Sequence, residues 1–208
     1  VMLGSSMHRA DGLLEVQRSH ACGTLRNARD GALETLASSI IRRVLTLRPA
    51  TPADVPLVLS LIRELAAYER EPDAVVATEE ALLRDGFGPR PLFEVTIAEW
   101  RGEPVGFAFW FLTYSTWRAQ PTLYLEDLFV RPEARGHGIG KAFMQHLART
   151  AVERGCGRFV WQVLDWNAPS IAFYESLGAS VLREWLTCRV EGDALAALAA
   201  GAADRAER

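Results

Sequence analysis

The segment Val130-Arg131-Pro132-Glu133-Ala134-Arg135-Gly136-His137-Gly138-Ile139-Gly140-Lys141 carries the clearest chemistry in this 208-residue sequence. It leaves a strand pattern, turns through proline and glycine, and enters an amphipathic helix pattern. Three alternating glycines let the backbone approach a ligand without Cβ atoms in the way. The unpaired amides at the helix start then converge on one spot, where the helix dipole favours an anion. Residues Gly136, His137, Gly138, Ile139, Gly140 and Lys141 form the candidate phosphate cradle, with Arg135 and Lys141 adding charge. Spacing narrows the ligand. A Walker loop needs four residues between its first glycine and a Gly-Lys pair followed by Ser or Thr; here three intervene and Ala142 follows. The dinucleotide fingerprint G-x-G-x-x-G is also missing, since this run is G-x-G-x-G. The other reading is a glycine-rich turn that only permits tight packing.

Two further groups have reactive types. Glu126 and Asp127 close an otherwise apolar strand, and strict alternation sends their side chains to opposite faces. By themselves they read equally as a solvated strand end. Asn167 and Ser170 flank Pro169 where a strand gives way to a helix, and helix capping alone would account for either. Tyr68 and Glu69 lie at the end of an early helix, and exposure there is a sufficient reading.

The elements that must hold these groups follow from periodicity. Leu45 to Arg48 reads as a short strand. Thr51-Pro52-Ala53-Asp54 is a helix entry, with Thr as N-cap, Pro at the first position and Asp at the capping-box site. Val55, Val58, Leu59, Ile62, Leu65 and Ala66 give it one buried stripe. A short helix opens at Thr78 and is expected to stop at Gly86 in a left-handed cap. Strands are expected over 93–99, 105–113 (joined through Arg101-Gly102), 122–130, 159–164 and 185–190, and helices over 138–154, 169–177 and 193–200. The order is mixed α/β. Residues 1–44 have no convincing period at first and only some helical spacing near the end, so they are expected to be an extension, poorly ordered or partly helical. The domain is expected over 45–200, with a tail at 201–208.

Composition bounds the function. Hydrophobic residues make up 49% and charged residues 24%, ordinary for a globular chain. The net charge is −3, and residues 45–200 carry 15 basic against 20 acidic side chains. That balance argues against nucleic acid, which needs a clustered positive field, and mildly favours a cationic substrate. Lys141 is the only lysine. Cys22, Cys156 and Cys188 have neither metal-like spacing nor an even count, so no metal site is expected and a reducing cytoplasm fits best. No apolar run is long enough for a membrane span.

Arg-x-x-Gly-x-Gly between a strand and a helix resembles the acyl-CoA diphosphate loop of the GNAT N-acetyltransferase superfamily. Leu47-Arg48-Pro49-Ala50-Thr51 with Asp54 is similar to the family's opening strand and helix entry. Asp165-Trp166-Asn167-Ala168-Pro169-Ser170, Phe173-Tyr174 and Leu177-Gly178-Ala179 are similar to its closing segment. Tyr124 to Val130 and Glu79 to Gly88 resemble the diamine (spermidine/spermine) acetyltransferase branch. Coverage is roughly residues 46–190.

The resemblance implies a mixed, mostly antiparallel twisted sheet with helices on both faces and a central acyl-CoA cleft. It implies acetyl-CoA as cosubstrate and a primary amine of a small molecule (a polyamine, a diamine or a thialysine-like amino acid) as acceptor. Tyr174 becomes the acid that protonates the departing thiolate, which a phenol can do without being ionised itself at neutral pH. Glu126 holds the ammonium or takes its proton through water. Main-chain groups of Leu128, Phe129 and Val130 are expected to bind the pantetheine as an added strand, with an amide near Phe129 polarising the thioester. Asn167 and Ser170 contact the CoA arm. Tyr68, Glu69, Trp117, Glu126 and Asp127 make the substrate side. Ser115 stands where the branch has an acidic residue, and Glu175 and Leu177 replace basic ones. That weakens a polycation and makes a smaller amine competitive. A homodimer is expected from the family. The competing readings are a protein lysine or N-terminal acetyltransferase, and a non-catalytic acyl-CoA sensor, which retention of Tyr174 and Glu126 disfavours.

Overall fold

A computed structural model of the protein describes residues 44–201. The expected extension therefore lies, but for Val44, outside the described residues, as does the tail beyond Gly201. The chain falls into two compact units that meet in sequence at Gln162 and Val163. Among the described residues, no helix is long and apolar enough to cross a membrane.

The first unit is a five-stranded sheet: β1 (Leu45–Pro49), β2 (Glu94–Trp100), β3 (Glu103–Ser115), β4 (Gln120–Val130) and β5 (Arg158–Trp161), in that spatial order. The first four pair antiparallel and β4 pairs parallel with β5. β2 and β3 join through Arg101-Gly102 with φ of 56° and 86°. Both residues are left-handed, as a two-residue hairpin turn requires.

Three helices cover this sheet: α1 (Val55–Tyr68), α2 (Glu79–Phe87) and α3 (Ile139–Glu153). The α1 stripe Val55, Val58, Leu59, Leu61 and Leu65 packs with Val95, Ile97, Phe107 and Phe129. Removing such a stripe from water is the main stabilising term here. Alternation turns Trp110, Leu123 and Leu125 to the other face. α3 crosses from β4 to β5 on that side, burying Phe143, Met144 and Leu147.

Local chemistry sets the helix entries. Asp54 accepts from the Thr51 amide at 2.7 Å and from both Arg48 Nη atoms at 2.8 Å, while Arg48 Nε reaches Glu99 at 2.6 Å. One carboxylate thus caps the α1 entry and pins it to β1. The Arg48 guanidinium holds Asp54 well below the usual carboxylate range. α2 starts as expected, with Thr78 Oγ1 accepting from the Ala81 amide at 3.2 Å. It does not stop at Gly86: it runs to Phe87, and Gly86 lacks the positive φ of a left-handed cap. That glycine answers to packing instead, because a Cβ there would lie 2.5 Å from the Phe93 ring.

The second unit holds α4 (Ala168–Ser176) and α5 (Gly192–Ala199). The expected strand over 185–190 does not form. A strand needs a hydrogen-bonded neighbour, none is paired to it among the described residues, and Trp185 and Leu186 stay 69% and 88% exposed.

Candidate active site

β4 carries the irregularity on which the site is built. Phe109 opposes Asp127, yet Trp110 opposes Leu125, so Glu126 is an extra residue with no partner on β3. Such a bulge sets two residues against one and re-aims the side chains around it. It also resets the alternation. Tyr124 pairs with Phe111, their rings 5.2 Å apart, and Asp127 pairs with Phe109, both on the α1 face. The strict alternation behind the expectation that Glu126 and Asp127 point to opposite faces is therefore broken at this bulge.

The electrostatics show the convergence. Burial first, then the charges of Glu126 and of Glu69 at the end of α1, push the Asp127 carboxyl up to about 6. Burial raises Glu69 as well, and Tyr124 is raised by burial and then by Glu126. The charges of Glu69 and Glu126 thus both bear on Asp127. A cation entering there would relieve their mutual repulsion.

The bulge also marks where β4 and β5 part. Their pairing covers only Thr122 to Leu125 on β4, and among the described residues no strand pairs with Glu126 to Val130 on that side. The Arg131 amide donates to the Val105 carbonyl at 2.8 Å. By antiparallel alternation the main-chain groups of Phe129 then turn to β3, and those of Leu128 and Val130 face the open edge. Phe129 is corrected on this point: its carbonyl is so committed to β3 that a Cβ on Gly106 would lie 2.4 Å away. Its side chain belongs to the core. Leu128 and Val130 turn their main-chain groups to the open edge.

Beyond Val130 the chain makes a short turn, Pro132–Ala134, and enters α3. Gly136 and Gly138 have φ of 79° and 77°, and a Cβ on either would meet nothing within 4 Å. Packing does not require these glycines; the left-handed backbone does. No side chain caps α3, whereas Thr78 caps α2 and Asn167 caps α4. Ile139 is buried as the first core residue of α3, which leaves only its main chain to face a ligand at the loop. An uncapped N-terminus beside exposed Arg135 and Lys141 fits a diphosphate.

His137 enters only through its backbone. Its ring sits 5.1 Å from Trp100, and Nδ1 lies 2.9 Å from the Arg135 carbonyl, an acceptor, which puts the proton on Nδ1. Arg135 turns the other way. Its Nε donates to the Val130 carbonyl at 2.8 Å, and its guanidinium lies 4.6 Å from the Tyr68 ring centre and 5.8 Å from that of Phe129.

Sequence reasoning missed the pair that fixes this corner. Arg131 donates to Glu64 at 2.9 and 2.7 Å and to the Pro104 carbonyl at 2.9 Å, tying α1 to the end of β4 and the start of the loop. The partners are 67 residues apart, and no local signal joins them. Trp117 is not gathered with the carboxylates. It is 91% exposed at the β3–β4 hairpin tip, and the six residue steps along β4 from Gln120 to Glu126 span about 20 Å. In the second unit, the Asn167 side chain accepts from the Ser170 amide at 3.3 Å, so capping is real there. Tyr174 lies on the same helix, ring to ring with Phe173 at 5.2 Å.

Comparison with known proteins agrees with this geometry. The pattern of the Acetyltransferase (GNAT) family matches residues 58–179. Thialysine N-epsilon-acetyltransferase of Sus scrofa is 42% identical over 164 residues, spanning 74% of this chain and 96% of that protein. L-ornithine N5-acetyltransferase of Arabidopsis thaliana is 32% identical over 197 residues, spanning 73% and 86%. Among solved structures, an integron cassette protein from the mobile metagenome of V. cholerae superposes with a TM-score of 0.64 at 29% identity, over 75% of this chain and 98% of that one.

Proposed function

The chain belongs to the GNAT acetyltransferase family, and from that premise we propose that it moves an acetyl group from acetyl-CoA to the side-chain amine of a small, amino-acid-like molecule. The observation that carries the reading is the strand edge left open at the β4 bulge beside an uncapped helix start, with the charges of Glu69 and Glu126 bearing on Asp127. The cradle suits a diphosphate and the edge suits the amides of a pantetheine arm. The three carboxylates suit an ammonium. Similarity to enzymes named for thialysine and for ornithine favours a short amine-bearing amino acid over a long polycation.

Acetyl-CoA brings the activated acyl group as a thioester. The loop amides of Gly136 to Lys141, with Arg135 and Lys141, would hold its diphosphate, and Leu128 and Val130 would hold its arm. Asn167 and Ser170 would support that arm as well. The outward amide of Leu128 or Val130 would donate to a thioester carbonyl lying along the edge. Asp127 and Glu69 hold the ammonium, with Tyr68 beside them, and Glu126 takes its proton directly or through water. The freed amine nitrogen forms the new C–N bond as the C–S bond breaks, and Tyr174 protonates the departing sulfur. One ammonium proton ends in solvent, so the balance is amide, CoA thiol and a proton.

The family habit of pairing and the exposed Leu182, Trp185, Leu186 and Val190 support a homodimer. Absence of a membrane-crossing helix among the described residues and the free thiols of Cys156 and Cys188 support a cytoplasmic protein. The test is release of free CoA thiol from acetyl-CoA with thialysine, ornithine, lysine, spermidine and a lysine-bearing peptide. Thialysine or ornithine should exceed the no-amine rate at least tenfold, and Tyr174→Phe should lower it. Release by the peptide alone, or by none, would overturn the reading.

A further inference from the structure

The first residue of the glycine loop does not lie where a diphosphate would need it. Arg135 folds back over the open end of β4, its Nε on the Val130 carbonyl at 2.8 Å and its guanidinium 4.6 Å from the Tyr68 ring centre. Two places are filled at once. The Val130 carbonyl is one of the outward main-chain groups of the unpaired edge. Tyr68 precedes Glu69 at the end of α1, so on the amine reading above its exposed ring offers an incoming ammonium an aromatic surface next to an acidic residue.

We infer that the Arg135 side chain stands in for the substrate cation in the ligand-free protein, and that the diphosphate of the acyl donor withdraws it to open the Tyr68 face for the amine. The inference rests on the amine reading of that face given above. The physical argument is a competition between acceptors. A neutral carbonyl and a ring quadrupole hold a guanidinium modestly, whereas a diphosphate at the start of α3 offers charge-assisted bonds about twice as strong. Arg135 is exposed to solvent, so its side chain has room to swing. Once it leaves, the Val130 carbonyl is free for the donor's arm and the ring is free for the amine. Donor and amine then each strengthen the binding of the other.

The test is calorimetric titration of thialysine into the full chain, without and with saturating CoA, which carries no acetyl group and cannot turn over. In the wild type, CoA should tighten thialysine about fivefold or more, and thialysine should tighten CoA by the same factor, since such coupling is reciprocal. Arg135→Met should weaken CoA yet bind thialysine without CoA about as well as the wild type does with it, so that the coupling factor falls to about one. Tyr68→Phe should keep the coupling and Tyr68→Leu should lose it. Thialysine affinity in the wild type that ignores CoA would overturn the inference and leave the amine site standing. So would an Arg135→Met protein that loses CoA affinity while its CoA-free thialysine affinity is unchanged. No binding of thialysine or spermidine to any form, with or without CoA, would overturn the amine site and this inference together.

Discussion

Asp127 is the residue whose surroundings cost most. Its carboxyl is pushed up to about 6, above the ordinary value, so in the folded protein the charged form is disfavoured. The native state then holds a proton that the unfolded chain has released. The contribution to stability is therefore present below about pH 4 and declines as pH rises through about 6. Asp127→Asn should raise the Tm of the ligand-free protein at pH 8, by up to about 2 kcal/mol in stability, and change it little at pH 4. Amine affinity should fall in the same variant. Thermal melts at the two pH values and a thialysine titration check both; an unchanged Tm at pH 8 would mean that the carboxylates do not repel as placed. Glu64 runs the opposite way. The Arg131 guanidinium holds its carboxyl below the usual value, so the pair stabilises at neutral pH and is lost on acidification. Glu64→Gln should cost about 1 kcal/mol at pH 7 and less near pH 3, read by urea unfolding.

Two glycines separate backbone conformation from packing among the elements. Gly106 pairs with Val130, and a Cβ on it would strike the Phe129 carbonyl at 2.4 Å. Gly106→Ala should force β3 and β4 apart and destabilise the sheet by about 1–3 kcal/mol. Gly138 has space around it but a φ of 77°, so Gly138→Ala should cost only about 1 kcal/mol while weakening CoA at least tenfold through a distorted α3 start. Measuring unfolding and CoA affinity on both variants separates a structural glycine from a ligand-serving one. Equal losses in the two measurements for both would remove that distinction. Element types were largely legible in the sequence because hydrophobic period decides them: the α1 stripe and the α3 face form where the spacing puts them. Gly86 was misread because a glycine inside a helix looks the same as one that ends it until the Phe93 ring is in place.

On the scale of the whole molecule, the exposed Leu182, Trp185, Leu186 and Val190 are too apolar for an ordinary solvated stretch. If a second copy covers them, Trp185→Ser combined with Leu186→Ser should convert a dimer to a monomer by light scattering; a dimer that persists would place the contact elsewhere. The segment also explains why its strand was expected and does not form. Alternating apolar residues state what a strand would bury, but the ladder needs a neighbour that one chain's sequence does not name.

The amino-acid order alone determined the glycine loop, the helix entries and the kind of ligand they suit, because left-handed backbone, capping and dipole are local effects written within a few residues. It determined the family resemblance for the same reason. Where β4 breaks its alternation at Glu126, which of Leu128, Phe129 and Val130 turn main-chain groups away from β3, and where the Arg135 side chain rests were decided by tertiary structure. Each depends on one extra residue in β4 and on the register against β3, and register is a relation between strands that neither strand encodes by itself.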